Sequence, residues 1–391
     1  MIIFSGYALI KQGKSNISYL EKRELSYIKP LTTKEWFSKE FQASVDSSII
    51  DNFFKRNDCL KYYNKINMKL NIIGNKSTSV FFKKYLDKMI ILQNINEKVS
   101  YIDEISYLVR NPYIYDKDIG LGIINNINKI KILSNKKDDV KFYIYLPLMA
   151  NENDIFDISN LNTSYLRLFD SLSIPFKNLE VNNIHDLEKV YFSTDHHWSH
   201  IGSYQGYTDI INLLFKGAEK AKFPVSEKEF IDVRFFGSHS RAIAHSVKTR
   251  GDSISKYIFD LPEYDLYVDG VLTETYGHYE DYVKGNVDNS KDFDHYGWMY
   301  QNRKGKIIFD TKQENLENML VISDSMSNSL RDVLASHFDK TIFINLDEYQ
   351  RTYGEFIIEE YIDKYEIDKV LVMVVLGNYF PEGELKYLNV K

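Results

Sequence analysis

The chain has 391 residues, 44% of them hydrophobic and 27% charged, enough for one large domain or two small ones with an ample core. Its net charge of −6, unrelieved by any long basic block, argues against a nucleic-acid surface. The single cysteine, Cys59, excludes an internal disulfide and leaves the redox compartment open. Aromatic content is high, with 30 Tyr; such rings suit sugar faces, but most are expected in the core or on half-buried strands.

In chain order, Met1–Ile10 is apolar but only half the ~20 residues that a membrane helix needs, and no basic segment marks a cleavable signal. Taken alone it reads as an N-terminal strand or buried arm. From about Thr32 to Met68, Trp36, Phe37, Phe41, Ile49, Ile50, Phe53 and Phe54 recur at helical intervals behind Pro30. Residues 1–76 therefore read as a helical arm and 77–391 as the main domain. Short strands are expected at Ser79–Phe82 and Met89–Leu92, and a helix over Ile119–Leu133. A strong strand follows at Val140–Pro147, then a second helix over Tyr165–Leu172. This alternation predicts an α/β fold with a mostly parallel sheet. Between about 224 and 310 the helical period fades and Gly, Asp and Tyr rise. Val233–Phe236, Tyr264–Tyr267 and Lys306–Phe309 read there as the strands of an insertion beside the site. Tyr276, Tyr279, Tyr282, Tyr296, Trp298 and Tyr300 in this stretch are candidates for a carbohydrate groove. Alternation resumes with a strand at Lys340–Asn345, a helix at Glu355–Tyr365 and a fully buried strand at Lys369–Leu376.

Two stretches carry chemistry. Tyr191–His200 packs Asp195, His196, His197, Trp198 and His200 at the start of an apolar-periodic run that reads as a helix. An Asp two residues before a His can orient one ring nitrogen and stabilise the imidazolium, the Asp–His half of a nucleophilic triad. The other half is expected at Asn318–Leu330, where an apolar strand feeds a helix from Asn328 and Ser325 falls on the turn. A hydroxyl stands exposed there, and the backbone N–H groups of Ser325 and Met326 can begin an oxyanion hole. Alone, an Asp-x-His is usually structural and an Asp-Ser before a helix is usually an N-cap.

Together the two stretches resemble the DHHW family, which belongs with the alginate O-acetyltransferase-like branch of the SGNH superfamily. Asp195-His196-His197-Trp198 matches the motif that names the family, and Ser323-Asp324-Ser325 matches its Gly-Asp-Ser-like element, with Ser in place of Gly. Glu21–Pro30, Asp51–Arg56, Phe236–Ser238 and Lys284–Asn286 look like further family elements. The resemblance implies an SGNH-like three-layer α/β/α domain with Ser325 as nucleophile, His197 as base and Asp195 as its acid partner. It implies no cofactor and no metal. Acetyl would pass from a donor supplied by a membrane-bound O-acyltransferase to an extracellular or cell-wall polysaccharide. It also makes Met1–Ile10 readable as the stub of an N-terminal anchor. Many SGNH enzymes complete the oxyanion hole with a Gly-x-Asn after a late strand. Gly377-Asn378 lacks the spacer, so Asn378 stands as a candidate donor beside the plain reading of a turn residue.

Trp198, Tyr279, Asn286 and Trp298 are the candidate substrate contacts, Trp198 also reading as a prop under the His loop. A carbohydrate acetylesterase would use the same triad with water as acceptor. A different class, a metal-dependent phosphoesterase, would gather Asp195, His196, His197, His200 and His239, although no spacing matches a known metal site. An inactive sugar-binding protein is the third reading.

Overall fold

Lys141–Leu146, Met319–Ser323 and Lys369–Met373 are apolar at nearly every position, the pattern of strands covered on both faces. The computed structural model describes residues 17–18, 23–26, 39–51, 56–73, 78–82, 89–95, 98–102, 105–111, 113, 116–153, 156–157, 165–170, 172–301 and 303–390. In it these three strands lie side by side within an eight-stranded sheet. From one edge the order is Val271–Thr273, Asp265–Val268, Lys306–Asp310, Lys340–Ile344, Met319–Ser323, Lys369–Met373, Lys141–Leu146 and Phe176–Asn178. The last five run parallel, and the first three add an antiparallel edge.

Because side chains alternate across a strand, each central strand feeds two cores. Tyr143, Tyr145, Val321, Leu371 and Met373 pack with Tyr207, Ile210 and Ile211 of the helix His200–Phe215. Ile144, Leu320, Ile322, Val370 and Val372 pack on the other side with Ile123, Ile127 and Ile130 of Lys117–Lys136, and with Ile358 and Ile362 of Ile358–Tyr365. The fold is thus mixed α/β, with a large, mostly parallel sheet and helices against both of its faces.

A second, antiparallel sheet is built from Tyr107–Arg110, Val99–Ile102, Met89–Asn94, Thr78–Phe82 and Phe156–Asp157, in that order. The strands expected near 79 and 89 are therefore present, but they leave the parallel sheet to others. A long hairpin, Ser226–Phe235 with Asp252–Ile258, carries its own small core of Phe230, Val233, Phe235 and Ile254. Of the other strands expected between 224 and 310, Asp265–Val268 and Lys306–Asp310 extend the main sheet.

Several local expectations change. Tyr165 and Leu166 are helical, but the residues after them form successive i→i−3 turns and do not continue the α-helix: Leu168, Phe169 and Asp170 bond back to Tyr165, Leu166 and Arg167. The helix expected from Asn328 is preceded by a 3₁₀ segment, Ser325–Leu330, and becomes α-helical only at Arg331–Ala335. The late strand ends at Met373, because Val375 turns to bond Asp324. Helices Lys39–Asp51 and Arg56–Ile73 fall within and just beyond the stretch expected to be helical. Met1–Ile10, most of Glu21–Pro30, Trp36, Phe37 and residues 52–55 lie outside the described residues. Among the described residues no helix is long and apolar enough to cross a membrane.

Candidate active site

The loop before the helix His200–Phe215 is closed on itself. Tyr191 bridges Trp198, Ser199 N–H donates to Val190 O at 2.7 Å, and the Ser199 hydroxyl caps the helix by accepting from Gly202 N–H. Trp198 is fully buried beneath the loop. Its ring lies so close to the helix that a Cβ on Gly206 would stand 2.5 Å from the indole, so only glycine fits there. The indole Nε1 donates to Ser329 Oγ at 2.9 Å, tying the loop to the turn that carries Ser325.

This closure aims Asp195. Its Oδ1 accepts from His197 N–H at 3.0 Å and from His197 Nδ1 at 2.5 Å, which fixes the proton on Nδ1 and leaves Nε2 as an acceptor. The other oxygen, Oδ2, accepts from Ser238 N–H at 2.5 Å. Asp252 holds the preceding backbone, accepting from the N–H and hydroxyl of both Ser193 and Thr194. From the antiparallel sheet, Leu108 N–H donates to Ser193 O at 2.8 Å.

Ser325 stands just past the carboxyl end of Met319–Ser323, at the mouth of the parallel strands where open α/β sheets place their ligands. Its Oγ lies 2.8 Å from His197 Nε2. Tyr296 stacks on the His197 ring at 3.8 Å and donates its hydroxyl to Ser325 O at 3.0 Å. Burial pushes the Tyr296 phenol well above its ordinary value, so it stays a donor. Asp324 caps the turn by accepting from Met326 N–H at 2.9 Å. Its Oδ2 gathers Val375 N–H and the Asn378 amide, at 2.8 and 2.9 Å. Burial raises the Asp324 carboxyl despite these three donors. Burial, and then the neighbouring His197, push His196 well below the usual imidazole range, leaving it neutral. His196 Nδ1 pairs with Ser238 Oγ at 2.6 Å.

Asp195, His197 and Ser325 are therefore brought together in hydrogen-bond sequence, with His197 and Ser325 coming from positions 128 residues apart. The other expected site residues fare differently. Met326 N–H, read as an oxyanion donor, is engaged by Asp324, and the Asn378 amide gives one of its two N–H groups to the same carboxylate. Trp198 is a prop, with no face left for a sugar. Tyr276, Tyr282, Tyr296 and Tyr300 are buried, so no open groove runs along all six aromatics. Trp298 is exposed, stacks on His278 at 3.9 Å and donates to Asp281; Asn286 is exposed on a turn, its N–H bonded to Asp281 O. Tyr279 is half-buried beside Lys256, whose ammonium sits 5.3 Å from its ring.

Of the five proposed metal ligands, Asp195, His196 and His197 place ligand atoms within 4.8 Å of one another. His200 turns away to Glu227 at 3.1 Å, and His239 Nδ1 bonds Leu108 O. In this cluster Asp195 Oδ1 and His197 Nδ1 already satisfy each other, so a cation would have to displace that bond. Asp252, the Ser238 N–H and Ser329 also build the site, and sequence reasoning did not assign them. Phe236-Gly237-Ser238, noted above only as a family element, was the one signal for any of them.

A serine hydroxyl bonded to a histidine that an aspartate holds, at the mouth of a mixed, mostly parallel sheet, is the arrangement this site presents. Among solved structures, the fold is similar to that of PatB1 from Bacillus cereus, at 21% identity and TM-score 0.57 over 75% of this chain and 100% of that one. The same protein with a sulfonyl adduct matches at 19% identity and TM-score 0.56, over 74% and 97% of the two chains. A DHHW family protein from Eubacterium siraeum matches at 14% identity and TM-score 0.55, over 76% and 97%. At these identities the shared fold is what the likeness establishes. No known sequence-family profile and no curated protein matches the chain.

Proposed function

We propose that this protein is an SGNH-like serine O-acetyltransferase that carries acetyl through an acetyl-serine onto hydroxyls of an extracytoplasmic polysaccharide. The observation that carries the reading is the 2.8 Å approach of Ser325 Oγ to His197 Nε2, with Asp195 on the far ring nitrogen. The helices packed on both faces of the sheet and the DHHW-like motif support this reading.

In this reading His197 Nε2 takes the Ser325 proton as Oγ attacks the acetyl carbonyl, and Asp195 stabilises the imidazolium. The tetrahedral intermediate collapses, the donor's leaving oxygen or sulfur takes the proton from His197, and acetyl remains on Ser325. A glycan hydroxyl then attacks the acetyl-serine, giving its proton to His197, which returns it to Ser325 Oγ as the ester leaves. With Met326 N–H engaged by Asp324, the Ser325 N–H is the backbone donor left to meet the oxyanion. The donor is an acetyl carrier delivered by a membrane-bound O-acyltransferase. Water in place of the glycan makes the same machinery an acetylesterase.

The test is intact-protein mass spectrometry after exposure to 4-nitrophenyl acetate, with and without an added glycan. An acetyl adduct on Ser325, absent from Ser325→Ala and discharged faster by glycan than by water, is expected. Full turnover by the Ser325→Ala protein would remove the nucleophile from this scheme.

A further inference from the structure

Behind the Ser325 turn lies a buried cation that the Asp195–His197–Ser325 chain does not use. Arg331 opens the helix Arg331–Ala335 and is 3% exposed. Its neighbour Asp332 pairs with Lys256 at 3.6 Å, and among the described residues Arg331 has no carboxylate partner. A buried guanidinium in that position is costly unless hydrogen bonds satisfy it. Helical side chains lean toward the helix N-terminus, so Arg331 reaches back into the 3₁₀ segment Ser325–Leu330. Its Nε donates to Ser327 Oγ, four residues earlier, at 3.1 Å. Its Nη1 donates to the Tyr276 hydroxyl at 3.4 Å, and that hydroxyl donates to Asn328 O at 2.8 Å. Phe343 supports the group with its ring centroid 5.5 Å from the guanidinium carbon.

Ser327 passes the charge on toward the reacting end. A hydroxyl has one proton and two lone pairs. Ser327 Oγ gives its proton to Asp324 O at 3.0 Å and accepts from Arg331 Nε–H. The remaining lone pair takes the Ser323 hydroxyl at 2.9 Å, so the serine that stands in place of the motif's Gly completes this set. Asp324 O also accepts from Ser327 N–H at 3.3 Å. That carbonyl belongs to the peptide whose N–H is Ser325's, the backbone donor left to meet the oxyanion. Bonds accepted at the oxygen of an amide make its N–H a stronger donor. Such chains strengthen each other by about 10–30% per bond, more so where one end is a charged group. Guanidinium, hydroxyl, carbonyl and N–H therefore form one directed relay that ends beside Ser325 Oγ.

We infer that Arg331 is a positioning residue of the acyl-transfer reaction: acting through Ser327, it holds and polarises the Asp324–Ser325 peptide whose N–H meets the oxyanion. The inference rests on the acetyl-transfer reading for the reaction it serves. The experiment is rapid mixing of the whole protein with 4-nitrophenyl acetate. It reads the limiting rate of the 4-nitrophenolate burst and the ester concentration that half-saturates it. Deleting an oxyanion donor outright costs roughly 100- to 1000-fold, so weakening one should cost about tenfold. Arg331→Met and Ser327→Ala should each slow the burst about tenfold. Half-saturation should stay within about twofold, because the bound ester carries no oxyanion yet. The double variant should be about as slow as the slower single one, since both changes cut one chain. A urea midpoint accompanies each variant. Ser327→Ala removes a single oxygen atom and carries the test alone should Arg331→Met not fold. A wild-type burst in a folded Ser327→Ala protein, a loss confined to half-saturation, or a double variant whose loss is the product of the two singles would each overturn the relay. The acetyl adduct on Ser325 is scored separately in wild-type protein by mass spectrometry. An intact adduct with unaffected variants discards the role of Arg331 alone, whereas no adduct in wild-type protein removes the acetyl-transfer reading and this inference with it.

Discussion

Gly237→Ala perturbs the site without touching any group that reacts. The backbone at Gly237 is ordinary, with φ −71°, so alanine has no conformational objection. Its Cβ would stand 2.2 Å from Asp195 Cβ, 2.4 Å from Asp195 Oδ2 and 2.6 Å from Asp195 Cα. Ordinary contact begins at 3.4 Å, so the two segments must part by more than 1 Å. Among the bonds that cross that seam are Gly237 N–H to Thr194 Oγ1 at 3.0 Å and Ser238 N–H to Asp195 Oδ2 at 2.5 Å, and parting strains both. Overpacking of this kind costs about 1–3 kcal/mol of stability. The larger effect should be on rate, since His197 takes its tautomer and aim from Asp195. A displacement of about 1 Å at a catalytic group costs roughly 100-fold, or about 2.7 kcal/mol of transition-state stabilisation. The assay is kcat/KM for 4-nitrophenyl acetate, read beside a urea midpoint. A fall of about 100-fold in a protein that still unfolds cooperatively is expected. Wild-type kcat/KM in a folded Gly237→Ala protein would refute the claim that Asp195 positions the base.

Trp198→Phe removes the indole donor to Ser329 and leaves a void against Gly206, so the urea midpoint should fall by an amount equivalent to about 2 kcal/mol. An unchanged midpoint would mean that the loop is held from elsewhere. Glu152 is buried with its carboxylate facing Met149 N–H and Gly377 N–H, and burial pushes it up to about 7. Its folded value exceeds its unfolded value, so its stabilising contribution is complete below about pH 4.5 and is lost as pH rises through 7. The loss amounts to about 3 kcal/mol, and Glu152→Gln should flatten the stability–pH curve between pH 5 and 8; parallel curves for the two proteins would contradict this. Dialysis against EDTA should leave ester turnover intact. A loss restored by added zinc would favour the metal reading of Asp195, His196 and His197.

The parts of this site legible in the sequence are those where one short segment holds the whole signal. Asp195 and His197 are two residues apart, and the strand-to-turn change at Ser323–Ser325 shows in residue type alone. The supports were not legible, because they join distant segments. Asp252 reaches Ser193 and Thr194 across more than 50 residues, and Leu108 reaches Ser193 from another sheet. The helix Leu346–Tyr353 escaped notice since only Leu346 and Tyr349 are buried on it, too few for a period, although Asn345 caps it and Gly354 ends it. The helix expected from Glu355 begins at Ile358 because Phe356–Ile357 pairs as a strand with Leu388–Asn389. There, tertiary pairing overrides local preference.

Asp324 shows why adjacency in sequence misleads about role. It sits between Ser323 and Ser325, where a carboxylate suggests chemistry, yet its oxygens are occupied by three N–H donors from two segments. Those bonds join the end of Met319–Ser323 to the end of Lys369–Met373, the two strands whose mouth Ser325 occupies. With the backbone on both sides pinned, the Ser325 turn cannot drift relative to the sheet, and the Trp198–Ser329 bond pins the His197 loop to that same turn. A 2.8 Å approach between groups 128 residues apart is thus held by ties that include one to the sheet and one to the loop before the helix His200–Phe215. Preorganisation of this kind lets a weak nucleophile meet its base without reorganisation at the moment of reaction.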